Sequence, residues 1–331
     1  MTTPPSAAPT QSLWVVAACF NEAAGIQAFI AAIEALGLVE RLLLIDDGSR
    51  DQTAAVVRAE IEARRAHPQA LSLCLIELTR NFGKEAAMLA GLDQARDRCD
   101  AVVLIDADLQ HPPELIPEMV RRWQEGAEMV TAIRSAEDQE SPLKIISASG
   151  FYSLFNRLTD SVQLVDGAGD FRLLSQPVVR ALTDMREGTR FSKALFPWTG
   201  FRSEDISYDR PERSSGASTW NMRRLVSYAL DGIFSFSVLP LRIWIGVGTV
   251  ISLISLVYAL VLVISTLQHG IDVPGYASLI VAVLFLGGVQ LIGIGILGEY
   301  IGRIFEESKR RPPYLVRRIS ASASSSRQGE A

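Results

Sequence analysis

Between residues 13 and 133, short apolar runs alternate with segments whose apolar residues recur at helical spacing. Residues 13–19, 41–45, 71–78, 101–106 and 128–133 predict strands; residues 22–36, 51–65, 85–97 and 113–125 predict helices, the last with prolines at its start, where they are tolerated. Repeated βα units of this kind imply an α/β domain built on a mostly parallel sheet with helices on both faces. Ligands of such sheets bind outside the carboxyl ends of the strands. Beyond it the pattern changes. Residues 134–142 are charged and read as a loop, residues 143–158 as a helix, and a glycine-rich turn over 166–172 runs into another strand. Residues 220–239 read as an amphipathic, aromatic-bearing helix. Residues 243–267 and 277–297 carry no charge, and each exceeds the ~20 residues needed to cross a bilayer.

Charge turns these two apolar runs into a topology. Arg223, Arg224 and Arg242 precede the first, Arg303, Lys309, Arg310 and Arg311 follow the second, and residues 268–276 between them hold no Lys or Arg. The positive-inside rule then predicts a multi-pass protein of the cytoplasmic membrane, with the N-terminal domain and both termini in the cytoplasm. The expected organisation is a disordered 1–10, a catalytic domain over 11–218, an interfacial segment over 219–242, spans over 243–267 and 277–297, and a basic, Ser-rich tail over 298–331. No signal peptide is visible at the start. The net charge of −5 over 331 residues argues against a nucleic-acid partner held by a global basic field. Cys19, Cys74 and Cys99 have no paired or metal-like spacing and read as packing residues of a reducing compartment. Gly298 and Gly302 form a small-xxx-small pair that could pack helices within one chain or in a homo-oligomer.

The candidate chemistry lies at strand ends. In extended backbone the side-chain period is two, so Asp106 and Asp108 project to one side as the fourth strand ends. Two hard oxygen ligands there suit a Mg²⁺ or Mn²⁺ that also holds substrate phosphates, although a lone Asp-x-Asp is equally a solvated loop. Asp46-Asp47-Gly48-Ser49 is a second acidic turn, or else a helix cap; Arg80 to Lys84 could set a cation on a diphosphate, or else be surface charge. One parallel sheet brings these ends together, and together they describe a nucleotide-diphosphate site. Other chemistries lack support. Gly293, Gly295 and Gly298 match dinucleotide-binding spacing but follow no strand, Lys84 is followed by Glu85 rather than a Walker Ser or Thr, and His67, His111 and His269 are scattered.

With Gly169-Asp170-Phe-Arg172-Leu and Gly298-Glu299-Tyr300-Ile-Gly-Arg303 added to the strand-end motifs, the chain resembles the polyprenyl-phosphate glycosyltransferases of glycosyltransferase family 2 from about residue 13 to 316. The resemblance implies a GT-A fold, a nucleotide-sugar donor (UDP-glucose favoured), a divalent metal and a polyprenyl phosphate acceptor such as undecaprenyl phosphate. It places Asp106 and Asp108 on the metal and the donor diphosphate with Gln110 beside them. Asp46 or Asp47 falls at the base or ribose, and Arg80 and Lys84 in the same pocket. Asp170 matches an acid near acceptor and sugar, which with Asp108 forms the catalytic set, and Arg210, Arg213 and Ser218 fall at the acceptor phosphate. A lipid phosphate is already ionised, so Asp170 is expected to position the attacking group rather than remove a proton. The family pattern of Ser or Thr followed by Lys is broken by Ser218-Thr219-Trp220, where Arg223 or Arg224 would substitute. UDP-GlcNAc, GDP-mannose or a catalytically inactive membrane scaffold are the alternatives.

Overall fold

The computed structural model describes residues 11–66, 71–134, 155–157, 159, 162–163, 167–188, 190–208, 237–269 and 275–322. Five strands appear where the apolar runs predict them: β1 (Leu13–Cys19), β2 (Arg41–Asp46), β3 (Ser72–Leu78), β4 (Ala101–Asp106) and β5 (Met129–Arg134). Between them lie α1 (Ile26–Ala35), α2 (Thr53–Ala66), α3 (Lys84–Ala95) and α4 (Ile116–Gln124). Then come β6 (Ala168–Ser175), α5 (Gln176–Asp184), α6 (Ser192–Trp198), β7 (Ser203–Tyr208), α7 (Leu239–His269), α8 (Tyr276–Ser308) and β8 (Val316–Ala321). The strands form one sheet in the order β7-β5-β6-β4-β1-β2-β3-β8.

Strand alternation explains why the sheet is covered on both sides. Val15 and Ala17 of β1 enter one apolar cluster with Phe29, Ile30 and Ile33 of α1, Val57 and Ile61 of α2, and Met119 of α4. Trp14 and Val16 enter the opposite cluster with Ala87 and Ala90 of α3, Val178 and Leu182 of α5, and Phe196 of α6. Helix α3 presses closest to the sheet: a Cβ on Gly91 would stand 2.3 Å from Val16 Cγ1 and 2.8 Å from Ile45 Cδ1. That approach admits only a hydrogen at this position.

The β1–β2, β2–β3, β1–β4 and β5–β7 pairings are parallel, whereas β6 runs antiparallel to both β4 and β5 and β8 runs antiparallel to β3. The chain leaves β1 toward β2 and β3, then returns to β1's other side with β4. A topological switch point therefore opens between β1 and β4, where Ala18 pairs with Asp106.

Two expectations need correction. The segment after residue 298 is not a free tail, because α8 continues to Ser308 and Val316–Ala321 adds a strand to the edge of β3. The physical reason is that β3 would otherwise carry an open row of backbone donors and acceptors. The helix expected from residue 22 begins at Ile26, since residues 22–25 form a turn closed by the Gly25 amide on the Glu22 carbonyl. The two C-terminal helices hold 31 and 33 residues and expose apolar side chains such as Ile245, Leu256, Leu291 and Ile304. Among the described residues Phe285–Ser308 is long and apolar enough to cross a membrane, and Ile243–Tyr258 is a shorter apolar stretch. Trp244 of α7 lies over Gly293 of α8, while Gly298 and Gly302 face open space. Most of the expected loop and helix over 134–158, residues 219–236 of the interfacial segment expected over 219–242, and the termini 1–10 and 323–331 lie outside the described residues, and α7 begins at Leu239, within that segment.

Candidate active site

Three local arrangements converge at the carboxyl edge around β1 and β4. At the end of β2, Asp46 accepts the Ser49 amide at 3.2 Å, which closes the acidic turn on itself. Asp47 reaches further: its Oδ1 accepts the Phe82 amide at 2.7 Å and its Oδ2 the Gly83 amide at 2.9 Å. Gly48 sits at φ +69°, and a Cβ there would stand 2.6 Å from the Arg80 carbonyl carbon, so the turn and the β3–α3 loop are in backbone contact. The acidic turn thus holds the loop that launches α3, and α3 begins with Lys84.

Lys84 occupies the centre. Its Nζ lies 2.7 Å from Asp106 Oδ1 and 2.6 Å from Asp170 Oδ2. Asp170 is close because β6 is antiparallel to β4, with Leu104 opposite Arg172. Carried two residues on, that register sets Asp170 beside Asp106. Burial opposes the lysine's charge, but Asp170 and Asp106 hold its pKa well above the ordinary value. Burial likewise opposes ionisation of Asp106, yet Lys84 and His111 keep its carboxyl well below the usual range. Asp170 Oδ1 is buried without a hydrogen-bond partner among the described residues. Asp108 Oδ1 accepts the Gln110 amide at 3.0 Å, across a turn in which Leu109 adopts φ +57°.

Two clefts share this centre. One, of about 620 Å³, is lined by Cys19, Phe20, Glu22, Asp47 and Asn81. The other, of about 740 Å³, is lined by Gln110, His111, Asp170, Glu187, Arg190 and Pro313. Gly83, Lys84, Asp106 and Asp108 line both. Of the residues expected here, Asp47, Lys84, Asp106, Asp108, Gln110 and Asp170 come together. Asp46 lies buried behind the turn and Arg80 points away, its guanidinium 3.9 Å over the Phe82 ring and donating to the Asn81 carbonyl. Arg210, Arg213 and Ser218 lie outside the described residues.

Other residues were not foreseen. His111, far in sequence from the other two histidines, places Nε2 3.4 Å from Asp106 Oδ2 and Nδ1 2.7 Å from the Tyr208 hydroxyl. Its spacing, three residues after Asp108, was the available signal. Glu85 hydrogen-bonds the Ser192 hydroxyl and lines the second cleft, where burial and the charge of Asp170 push its pKa up to about 7. Arg190, Glu187 and Gly188 could not have been found by motif, because they reach the cleft only through a loop after α5.

A doubly covered α/β sheet carrying paired carboxylates and a lysine at its switch point defines a domain whose charged groups stand where such sheets bind their ligands. The particular family follows from comparison. Residues 14–183 match the model of "Glycosyl transferase family 2", and residues 239–304 match that of the "GtrB C-terminal hairpin". A bactoprenol glucosyl transferase of Shigella phage SfV is 42% identical over 307 residues, covering 92% of this chain and 97% of that protein. An uncharacterised glycosyltransferase of Synechocystis sp. is 44% identical over 311 residues, covering 93% of this chain and 95% of that protein. Among solved structures, glucosyl-3-phosphoglycerate synthase of Mycobacterium tuberculosis in complex with Mn²⁺ and UDP-glucose is 20% identical with a TM-score of 0.43, over 68% of this chain and 77% of that one. The chain belongs to glycosyltransferase family 2 and is a glycosyltransferase with a GT-A-like fold, and the family resemblance read from the motifs is borne out, with relatives named bactoprenol glucosyl transferase.

Proposed function

We propose that the protein transfers a hexose, glucose favoured, from a UDP-sugar to a polyprenyl phosphate such as undecaprenyl phosphate at the cytoplasmic face of the membrane. The observation that carries this reading is the meeting of two clefts at Lys84, Asp106 and Asp108. A donor in the first and an acceptor in the second have their reacting groups side by side. An acceptor phosphate oxygen bonds to the anomeric carbon as the bond from that carbon to the diphosphate breaks. The electron pair leaves with the nucleoside diphosphate, and the configuration inverts.

Each residue then has a task. Asp47, with the loop that it holds, shapes the nucleoside end of the donor cleft in front of the buried Asp46, and Arg80 would reach that end only by leaving the Phe82 ring. Lys84 and Gln110 meet the diphosphate. Asp170, with one oxygen on Lys84 and the other without a partner among the described residues, orients the attacking phosphate. Arg210, Arg213 and Ser218 meet that phosphate, for which forked guanidinium donors suit the geometry. Asp106 and Asp108 offer oxygen ligands of the kind Mg²⁺ or Mn²⁺ takes, and among the described residues no group of three or more His, Cys, Asp or Glu is placed to hold a metal alone. The remaining positions suit diphosphate oxygens and water. Bound there, the ion would neutralise charge developing on the leaving diphosphate. Helices α7 and α8 form the membrane hairpin, with both termini cytoplasmic.

The test is a screen of full-length protein with Mg²⁺ or Mn²⁺, polyprenyl phosphate and a panel of UDP- and GDP-hexoses, with products identified by mass. A glucosyl-phospholipid from UDP-glucose is the expected product. A lipid-linked GlcNAc or mannose would reassign the sugar, and no product from any donor would leave the inactive scaffold.

A further inference from the structure

The carboxylate that would receive a metal is already neutralised by the chain itself. Lys84 Nζ stands 2.7 Å from Asp106 Oδ1 and 2.9 Å from Asp106 Oδ2, so one ammonium spans both oxygens. The same ammonium stands 2.6 Å from Asp170 Oδ2. Its origin leaves it little choice of place. Lys84 is the first residue of α3, after Gly83 at φ +99°, and the loop before it is fixed by Asp47 on the Phe82 and Gly83 amides.

We propose that Lys84 is a resident counter-ion that competes with the divalent metal for Asp106 and yields it only when a nucleoside diphosphate arrives. A divalent ion on Asp106 would stand a few ångströms from the ammonium, and two cations at that separation in a half-buried site repel strongly. Lys84 must swing off Asp106 for the ion to bind. In the empty cleft it then keeps Asp170 alone. With a diphosphate present it gains phosphate oxygens in exchange for the carboxylate. Metal and nucleotide binding are therefore coupled through this side chain in addition to any diphosphate oxygen that the ion itself takes, and the coupling is reciprocal. The inference rests on the reading of Asp106 and Asp108 as metal ligands.

The test needs no sugar transfer. Mn²⁺ binding to the full-length protein in detergent is measured by electron paramagnetic resonance with and without saturating UDP. Wild type, Lys84→Met, Lys84→Gln, Lys84→Arg and Asp106→Asn are compared, and thermal melting establishes that each is folded. In wild type, UDP tightens Mn²⁺ binding by roughly tenfold or more, within the usual range of coupling between two sites. Lys84→Met and Lys84→Gln tighten nucleotide-free Mn²⁺ binding severalfold and shrink the UDP effect by the same factor, leaving the part that comes from diphosphate oxygens on the ion. Lys84→Arg keeps the charge and the weak nucleotide-free binding. Nucleotide-free Mn²⁺ affinity that is unchanged or weaker in both Lys84→Met and Lys84→Gln overturns the proposal while leaving the metal reading intact. If wild type binds no Mn²⁺ even with UDP, or Asp106→Asn binds it as well as wild type, the metal reading fails and takes the proposal with it.

Discussion

Asp47 shows how a residue can be placed at a site by motif and yet act through backbone. Its two oxygens hold the Phe82 and Gly83 amides, and its side chain is almost fully buried. Replacing Asp47 with Ala strands both donors and is expected to cost about 1.5–3 kcal/mol for each bond lost to a charged group. Thermal melting and UDP affinity should fall together, and unchanged melting would mean the clamp contributes nothing. Gly48→Ala should lower melting through the same loop, because its Cβ has no room beside Arg80 and its φ is left-handed. Glu85 supplies a pH dependence. Burial and Asp170 raise its folded pKa to about 7, so the folded chain keeps a proton that the unfolded chain releases near its ordinary value of 4.5. The stability this contributes is fully present below that ordinary value and is lost as pH rises through about 7. Glu85→Gln, which keeps a partner for Ser192, should flatten the fall in melting temperature between about pH 4.5 and 7. Parallel slopes in variant and wild type would exclude Glu85 as the group.

Among the elements, the last strand has the widest consequences. β8 covers the edge of β3, and the junction is reinforced by the Thr79 amide on the Leu315 carbonyl at 2.9 Å, the Arg65 guanidinium on the Ala321 carbonyl and the Tyr314 hydroxyl on Asp93. Asp93 is also held by both terminal nitrogens of Arg186, and Glu307 at the end of α8 accepts the Gly188 amide. The end of the hairpin is therefore tied to the catalytic domain at an outer strand and at the loop beside the second cleft. Truncation after Ser308 should uncover β3, lower the melting temperature and promote association visible by size-exclusion chromatography. A truncated chain that stays monodisperse and melts unchanged would show that β8 is dispensable. The α/β alternation was legible because parallel strands buried on both faces read as continuous apolar runs. β8 was not: Val316, Arg317, Arg318 and Ile319 are exposed, so their residue types carry the marks of a solvated tail. Only the open edge they pair with makes them a strand.

For the whole molecule, the decisive feature is where the clefts stand relative to the hairpin. Pro313 lines the second cleft a few residues after α8 ends, so the cleft proposed for the acceptor lies on the side from which the hairpin departs. An acceptor anchored in a bilayer would enter from there. The topology proposed above has a direct test. All three native cysteines are buried, so background labelling is low. With Asp272→Cys between the helices, a membrane-impermeant thiol reagent should label intact cells, whereas Ser308→Cys should react only after lysis. The reverse pattern would place the catalytic domain outside.

The sequence by itself determined the alternation of strands and helices, the acidic pair at the end of the fourth strand and the two apolar helices, because burial and backbone period act over a few residues and leave their mark there. Tertiary structure alone decided that β6 runs antiparallel to β4, which brings Asp170 beside Asp106 across 64 residues of chain. It also decided that Lys84 lies between them, that Asp47 clamps the loop before α3, and that His111 and Glu85 belong to the site. These depend on strand order and direction, and residues that meet only through the sheet carry no local pattern to announce it.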